Sequence, residues 1–115
     1  MADCLFCKIV AGEIPAKIVK RSDDAVAFRD VDPRAPTHVL VIPVRHLAAV
    51  RAARDPEDER LLGAVLTFAA EVARDLGLDA DGYRIVTNTG PDAGQSVDHL
   101  HFHVLGGRKM AWPPG

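Results

Sequence analysis

Near the C-terminus, His99-Leu100-His101-Phe102-His103-Val104-Leu105 alternates imidazole with apolar side chains. A period of two belongs to a β-strand, whose successive side chains project to opposite faces. His99, His101 and His103 are therefore expected on one open face, and Leu100, Phe102 and Val104 on the other, packed under a helix. The remaining histidines, His38 and His46, flank a second run, Val39-Leu40-Val41-Ile42, which is continuously apolar and ends at Pro43. Such a run reads as a central strand buried on both faces. A wetted polar face explains three aligned imidazoles poorly, because such positions usually carry Thr, Lys, Glu or Ser. Two chemistries fit better: a catalytic metal with an open coordination position, or an imidazole nucleophile or general base held in one tautomer by a neighbouring acceptor. Spacing alone does not separate them. Gly90 and Gly94-Gln95-Ser96, just upstream, form a loop whose amides and hydroxyl suit a phosphate.

The rest of the chain supplies a scaffold for that strand. Asp3 is the expected N-cap of a short helix through about Val10, ended by Gly12 and Pro15. Residues 16–21 and 25–29 read as a hairpin about Ser22-Asp23-Asp24. A long helix is expected after Asp55, with Pro56 at its first position, three acidic residues in its first turn and Gly77 beyond its end. Leu61, Leu62, Val65, Phe68, Ala69, Val72 and Leu76 recur every three or four residues, one stripe to cover a sheet. Strands are also expected over 83–88 and 98–105. Five strands and two helices without regular alternation predict an α+β fold, a five-stranded antiparallel meander with one long helix on one face. With 115 residues, residues 1–115 are expected to form a single domain, with 106–115 as an extended tail that docks its lone tryptophan, Trp112.

Charge and hydropathy remove several classes of function. Fourteen basic against sixteen acidic side chains leave −2, so no sequence-wide field favours a nucleic acid polymer. The longest apolar run is too short for a bilayer, so no membrane partner is expected. The N-terminus lacks an apolar leader core, and a cytoplasmic location is expected. There, the two cysteines, Cys4 and Cys7, suggest metal or redox chemistry more than a structural disulfide.

The triad strand resembles the His-φ-His-φ-His-φ-φ signature of the histidine triad (HIT) family. Phe28-Arg29-Asp30, the stretch from Ala35 to Pro43, Asn88, Gly94 to Val97, Gly106-Gly107-Arg108 and Trp112 to Gly115 resemble its Hint-like branch. The resemblance implies a homodimer with the sheet continued across subunits, and hydrolysis of purine nucleoside phosphoramidates to the nucleoside monophosphate and an amine. It implies His101 as the nucleophile, forming a nucleotidyl-imidazole intermediate, with His103 and His38 organising the phosphate. Asn88, the Gly94 amide and Ser96 would bind the phosphate, and Ser96 would assist the leaving amine. Asp30 would accept both ribose hydroxyls. Leu5, Phe6, Ile9, Ile14, Phe28 and Val31 would line the slot for the base, and Trp112 would reach the partner subunit's site.

The same resemblance implies a structural zinc on Cys4, Cys7, His46 and His99, which takes His99 out of the chemistry; two thiolates and two imidazoles make a closed tetrahedral set. Asp98 and Ala111 depart from the branch, where an aromatic and a histidine are common. A nucleotide-binding regulator and a dinucleoside polyphosphate hydrolase are the alternative readings.

Overall fold

The run that reads as a buried strand is the centre of the fold. In the computed structural model, which describes residues 3–115, β3 (Thr37–Pro43) is buried from His38 onward. It pairs antiparallel with β2 (Ala25–Arg29) on one side and β5 (Phe102–Gly106) on the other. Its side chains divide between two cores. Val39 and Val41 face α2 (Pro56–Asp75), while Leu40 and Ile42 face α1 (Leu5–Val10) on the opposite side. β1 (Ile18–Arg21) and β4 (Tyr83–Val86) form the edges.

The sheet is five-stranded, antiparallel and open, but its order is β1-β2-β3-β5-β4 rather than that of a meander. After β3 the chain leaves through α2, lays down β4 as an edge, and returns to insert β5 between β3 and β4. Apolar content explains the choice. Phe102 and Val104 are buried in β5, whereas every residue of β4 is only half-buried.

Helix α2 follows its signals closely. Asp55 Oδ1 accepts from the Asp58 amide at 2.9 Å, Pro56 opens the helix, and Gly77 takes φ +77° beyond Leu76. All seven residues of its predicted stripe pack into the core over the sheet. Helix α1 is capped by Cys4 rather than Asp3: the Cys7 amide donates to Cys4 Sγ at 3.3 Å. The sulfur is held at that end by the histidines described below, so it takes the capping role.

The last strand begins at Phe102, not at Asp98. Val41 pairs with Phe102, so two positions further along the ladder residue 100 would fall against Pro43, which has no N–H. The Leu100 amide donates instead to Leu47 O at 2.6 Å. β4 likewise stops at Val86, short of Asn88, and Thr87 Oγ1 donates to His101 O at 2.8 Å.

Candidate active site and metal centre

The alternation around the triad survives without the ladder. Leu100, Phe102 and Val104 join the core under α2, and the three imidazoles stand on the other face. That face is not open, as the sequence had suggested. His99 is fully buried and His101 nearly so, because Phe6 of α1 sets its ring edge-on to both, 5.9 and 5.1 Å between centroids.

Backbone groups decide which nitrogen of each ring carries the proton. His101 Nδ1 lies 2.8 Å from His99 O, a pure acceptor, so Nδ1 is protonated and Nε2 keeps a free lone pair. His99 Nε2 lies 2.9 Å from Pro43 O, so its lone pair is on Nδ1. At His38 the polarity reverses: the Arg34 amide donates to Nδ1 at 2.9 Å, so Nε2 bears the proton. His38 Nε2 lies 2.8 Å from His103 Nδ1 and donates to it, which leaves His103 Nε2 as a donor. The His101 and His103 rings are neighbours, with centroids 5.2 Å apart. A nucleophilic lone pair and a neutral N–H donor thus stand side by side. Burial pushes the His103 pKa down to about 4, with His101 and His38 adding to the effect and Asp30 opposing it. Burial lowers His38 as well, again against Asp30. Both rings are neutral at pH 7.

Two groups of metal-type ligands emerge, and the tautomers separate them. Sγ of Cys4 and Cys7 and Nδ1 of His46 and His99 all lie within 4.8 Å of one another. Cys4 Sγ is 3.3 Å from His99 Nδ1, Cys7 Sγ is 3.3 Å from His46 Nδ1, and the two Nδ1 atoms are 3.2 Å apart. A tetrahedral cation bonded at about 2.0–2.3 Å needs donors at such spacings. The Pro43 carbonyl also turns the His99 lone pair inward, as an outer-shell partner of a metal ligand does. The donor set therefore fits zinc. Burial, then Cys4, raises the Cys7 thiol, an effect a bound cation would reverse. The second group, Asp30, His38 and His103, is as close-set. There His38 presents a proton, not a lone pair, toward His103, so that set does not fit a metal.

Beside the triad a cleft of about 920 Å³ is lined by all six residues expected at a base slot, Leu5, Phe6, Ile9, Ile14, Phe28 and Val31, together with Asp30 and His38. Asp30 is held by the Asp32 amide, 2.8 Å from Oδ1, with Oδ2 3.4 Å from His38 Nε2. Asn88, Gly94, Ser96 and Trp112 lie outside this cleft. Ser96 is exposed and borders a second hollow with Cys4 and His46. The Gly94 amide, expected to face phosphate, donates to Pro91 O at 3.0 Å within its own turn. Trp112 is 81% exposed beside the Arg84 guanidinium. Sequence reasoning missed two groups that set the tautomers, the Arg34 amide and the Pro43 carbonyl, because a backbone donor or acceptor carries no residue signature.

Residues 11–110 match the model of the HIT domain. The chain belongs to the HIT family. Among relatives of this HIT protein, an uncharacterised HIT-like protein of Synechocystis sp. is 53% identical over 98% of this chain and 97% of its own length. A 14 kDa zinc-binding protein of Zea mays is 46% identical over 96% of this chain and 87% of its own. Among solved structures, a HIT family hydrolase from Legionella pneumophila superposes with a TM-score of 0.94 at 48% identity, covering 98% of this HIT protein and all of the other.

Proposed function

We propose that this protein hydrolyses purine nucleoside 5′-phosphoramidates through a nucleotidyl-His101 intermediate. The observation that carries the reading is the tautomer of His101. Its proton is committed to His99 O, so Nε2 is free to attack phosphorus beside the His103 N–H. Attack forms the P–Nε2 bond and breaks the P–N bond to the amine, which leaves with a proton from the exposed Ser96 hydroxyl. Water then forms the new P–O bond, gives a proton back to Ser96 Oγ, displaces the neutral imidazole and releases the nucleoside monophosphate. His103 Nε2–H donates to the phosphate oxygens as charge builds there, and Asn88 and Ser96 bind the same group. The apolar cleft accepts the flat base, and Asp30 accepts from the ribose hydroxyls. Family membership and the Legionella hydrolase support hydrolysis. Flat apolar contact in the slot accepts either purine.

Zinc on Cys4, Cys7, His46 and His99 is part of the same reading, supported by the donor geometry and the maize relative. It supplies no chemistry to the reacting phosphate; it ties α1 to the triad strand. The deciding experiment is AMP release from adenosine 5′-phosphoramidate, with and without chelator, by the wild type and His101→Ala. Turnover that resists chelation while the fold survives, and falls by several orders of magnitude in the mutant, is expected. Equal and negligible rates in both proteins would sink the enzyme reading and leave a nucleotide-binding protein.

A further inference from the structure

The tautomer of His38, and through it the donor on His103, is set by one peptide amide in an irregular loop, with Asp30 Oδ2, 3.4 Å from Nε2, the longer contact to the same proton. The tail after β5 is built against that loop at two points. Arg108 Nε and Nη2 donate to Arg34 O at 3.2 and 3.0 Å. One residue earlier, Gly107 sits at φ +92°, where a Cβ would lie 2.9 Å from Pro36 Cβ. Only glycine allows that approach and that backbone. Pro33 and Pro36 stiffen the loop on either side of residue 34. Arg34's own side chain points elsewhere, to Asp32 at 2.9 Å, so it does not hold the loop.

We propose that Arg108 is a positioning residue for the triad: by clamping residue 34 through its carbonyl, it aims the Arg34 amide at His38 Nδ1, and so sets the proton on His38 Nε2 and on His103 Nε2. The chain of bonds runs Arg108 to Arg34 O, Arg34 N–H to His38 Nδ1, and His38 Nε2–H to His103 Nδ1. With the clamp gone, the amide swings off His38, either ring nitrogen can hold the proton, and His103 presents a donor for only part of the time. Arg108 itself lies outside the cleft and touches none of the reacting groups assigned here. The consequence for turnover rests on the proposed function, whereas the consequence for the tautomers does not.

The test combines 15N spectra of histidine-labelled protein at pH 7 with kinetics on adenosine 5′-phosphoramidate, for the wild type, Arg108→Gln, Arg108→Lys and Gly107→Ala. The wild type should show His38 protonated on Nε2 alone and His103 likewise. Arg108→Gln and Gly107→Ala should show averaged tautomer signals at both rings and a kcat about tenfold lower, with KM changed by less than about twofold. Arg108→Lys, which keeps a charged donor but loses the fork, should fall between. Arg108 is exposed, so its variants are expected to fold. Unchanged tautomers in Arg108→Gln would overturn the proposal whatever happens to kcat. If the wild type has no turnover, the proposed reaction fails while the spectra still decide the role of Arg108.

Discussion

At the scale of single residues, His38, His99 and His101 share a side chain and are told apart by the backbone group that meets each ring. Carbonyls at 43 and 99 leave free lone pairs on His99 Nδ1 and His101 Nε2, and an amide at 34 makes His38 Nε2 a donor. The depressed basicity of His103 and His38 has a consequence for stability. His103 titrates near 6.5 when unfolded and at about 4 when folded. Between those values the unfolded chain binds a proton that the folded chain does not, so stability falls as pH drops from about 6.5 to about 4 and flattens below. Burial of His38 acts in the same direction. Urea midpoints taken across that window should fall less steeply in His103→Asn than in the wild type. Parallel curves would show that His103 contributes nothing to the acid sensitivity. Asp30 has a test of its own. Asp30→Ala should lower kcat/KM on the ribonucleotide by about tenfold or more and erase its advantage over the 2′-deoxy substrate, since a site that accepts from a hydroxyl rejects the analogue lacking it.

At the scale of elements, α1 is the least self-sufficient part of the fold. Six residues are too few for a helix to persist alone. It is held by Phe6 and Ile9, which pack on the sheet, and by Cys4 and Cys7, which meet the two histidines. The same helix carries Leu5, Phe6 and Ile9 into the wall of the cleft. Replacing both cysteines with serine should therefore lower the melting temperature and raise the Kd for AMP several-fold, by loosening that wall, while His101 retains its carbonyl partner. Calorimetry and titration calorimetry measure the two effects; an unchanged Kd in a folded double mutant would argue that the metal centre does not support the cleft. Helix α2 behaves in the opposite way, since its cap, its stripe and its terminal glycine all point to one answer.

At the scale of the whole molecule, exposed apolar surface remains. Trp112 is 81% exposed and Leu66 of α2 is 46% exposed, and β4 leaves an unpaired edge among the described residues. Natural chains rarely leave such an edge uncovered. The dimer implied by the family resemblance would cover it, and sedimentation at micromolar concentration should give about twice the 12.4 kDa chain mass. A single-chain mass would leave Trp112 without a partner's site to reach.

Much of this architecture was legible in local pattern. The alternation in 99–105 placed three imidazoles on one face, the run at 39–42 marked a strand covered on both sides, and the caps and stripe of α2 marked a long covering helix. These are properties of neighbouring residues, whose geometry a period of two or of 3.6 dictates. The family resemblance added the expected site residues and the expected metal ligands. What local pattern left open was every decision made between distant segments. The insertion of β5 beside β3 was chosen by competition between two strands for the centre of the sheet. The ladder stopped at Phe102 because a proline of another strand stands two positions beyond that last pair. The protons on His99 and His38 were assigned by the carbonyl of residue 43 and the amide of residue 34, backbone groups with no side-chain signature that only the folded chain brings within 3 Å of a ring, whereas the same-strand carbonyl that meets His101 was expected from the family resemblance.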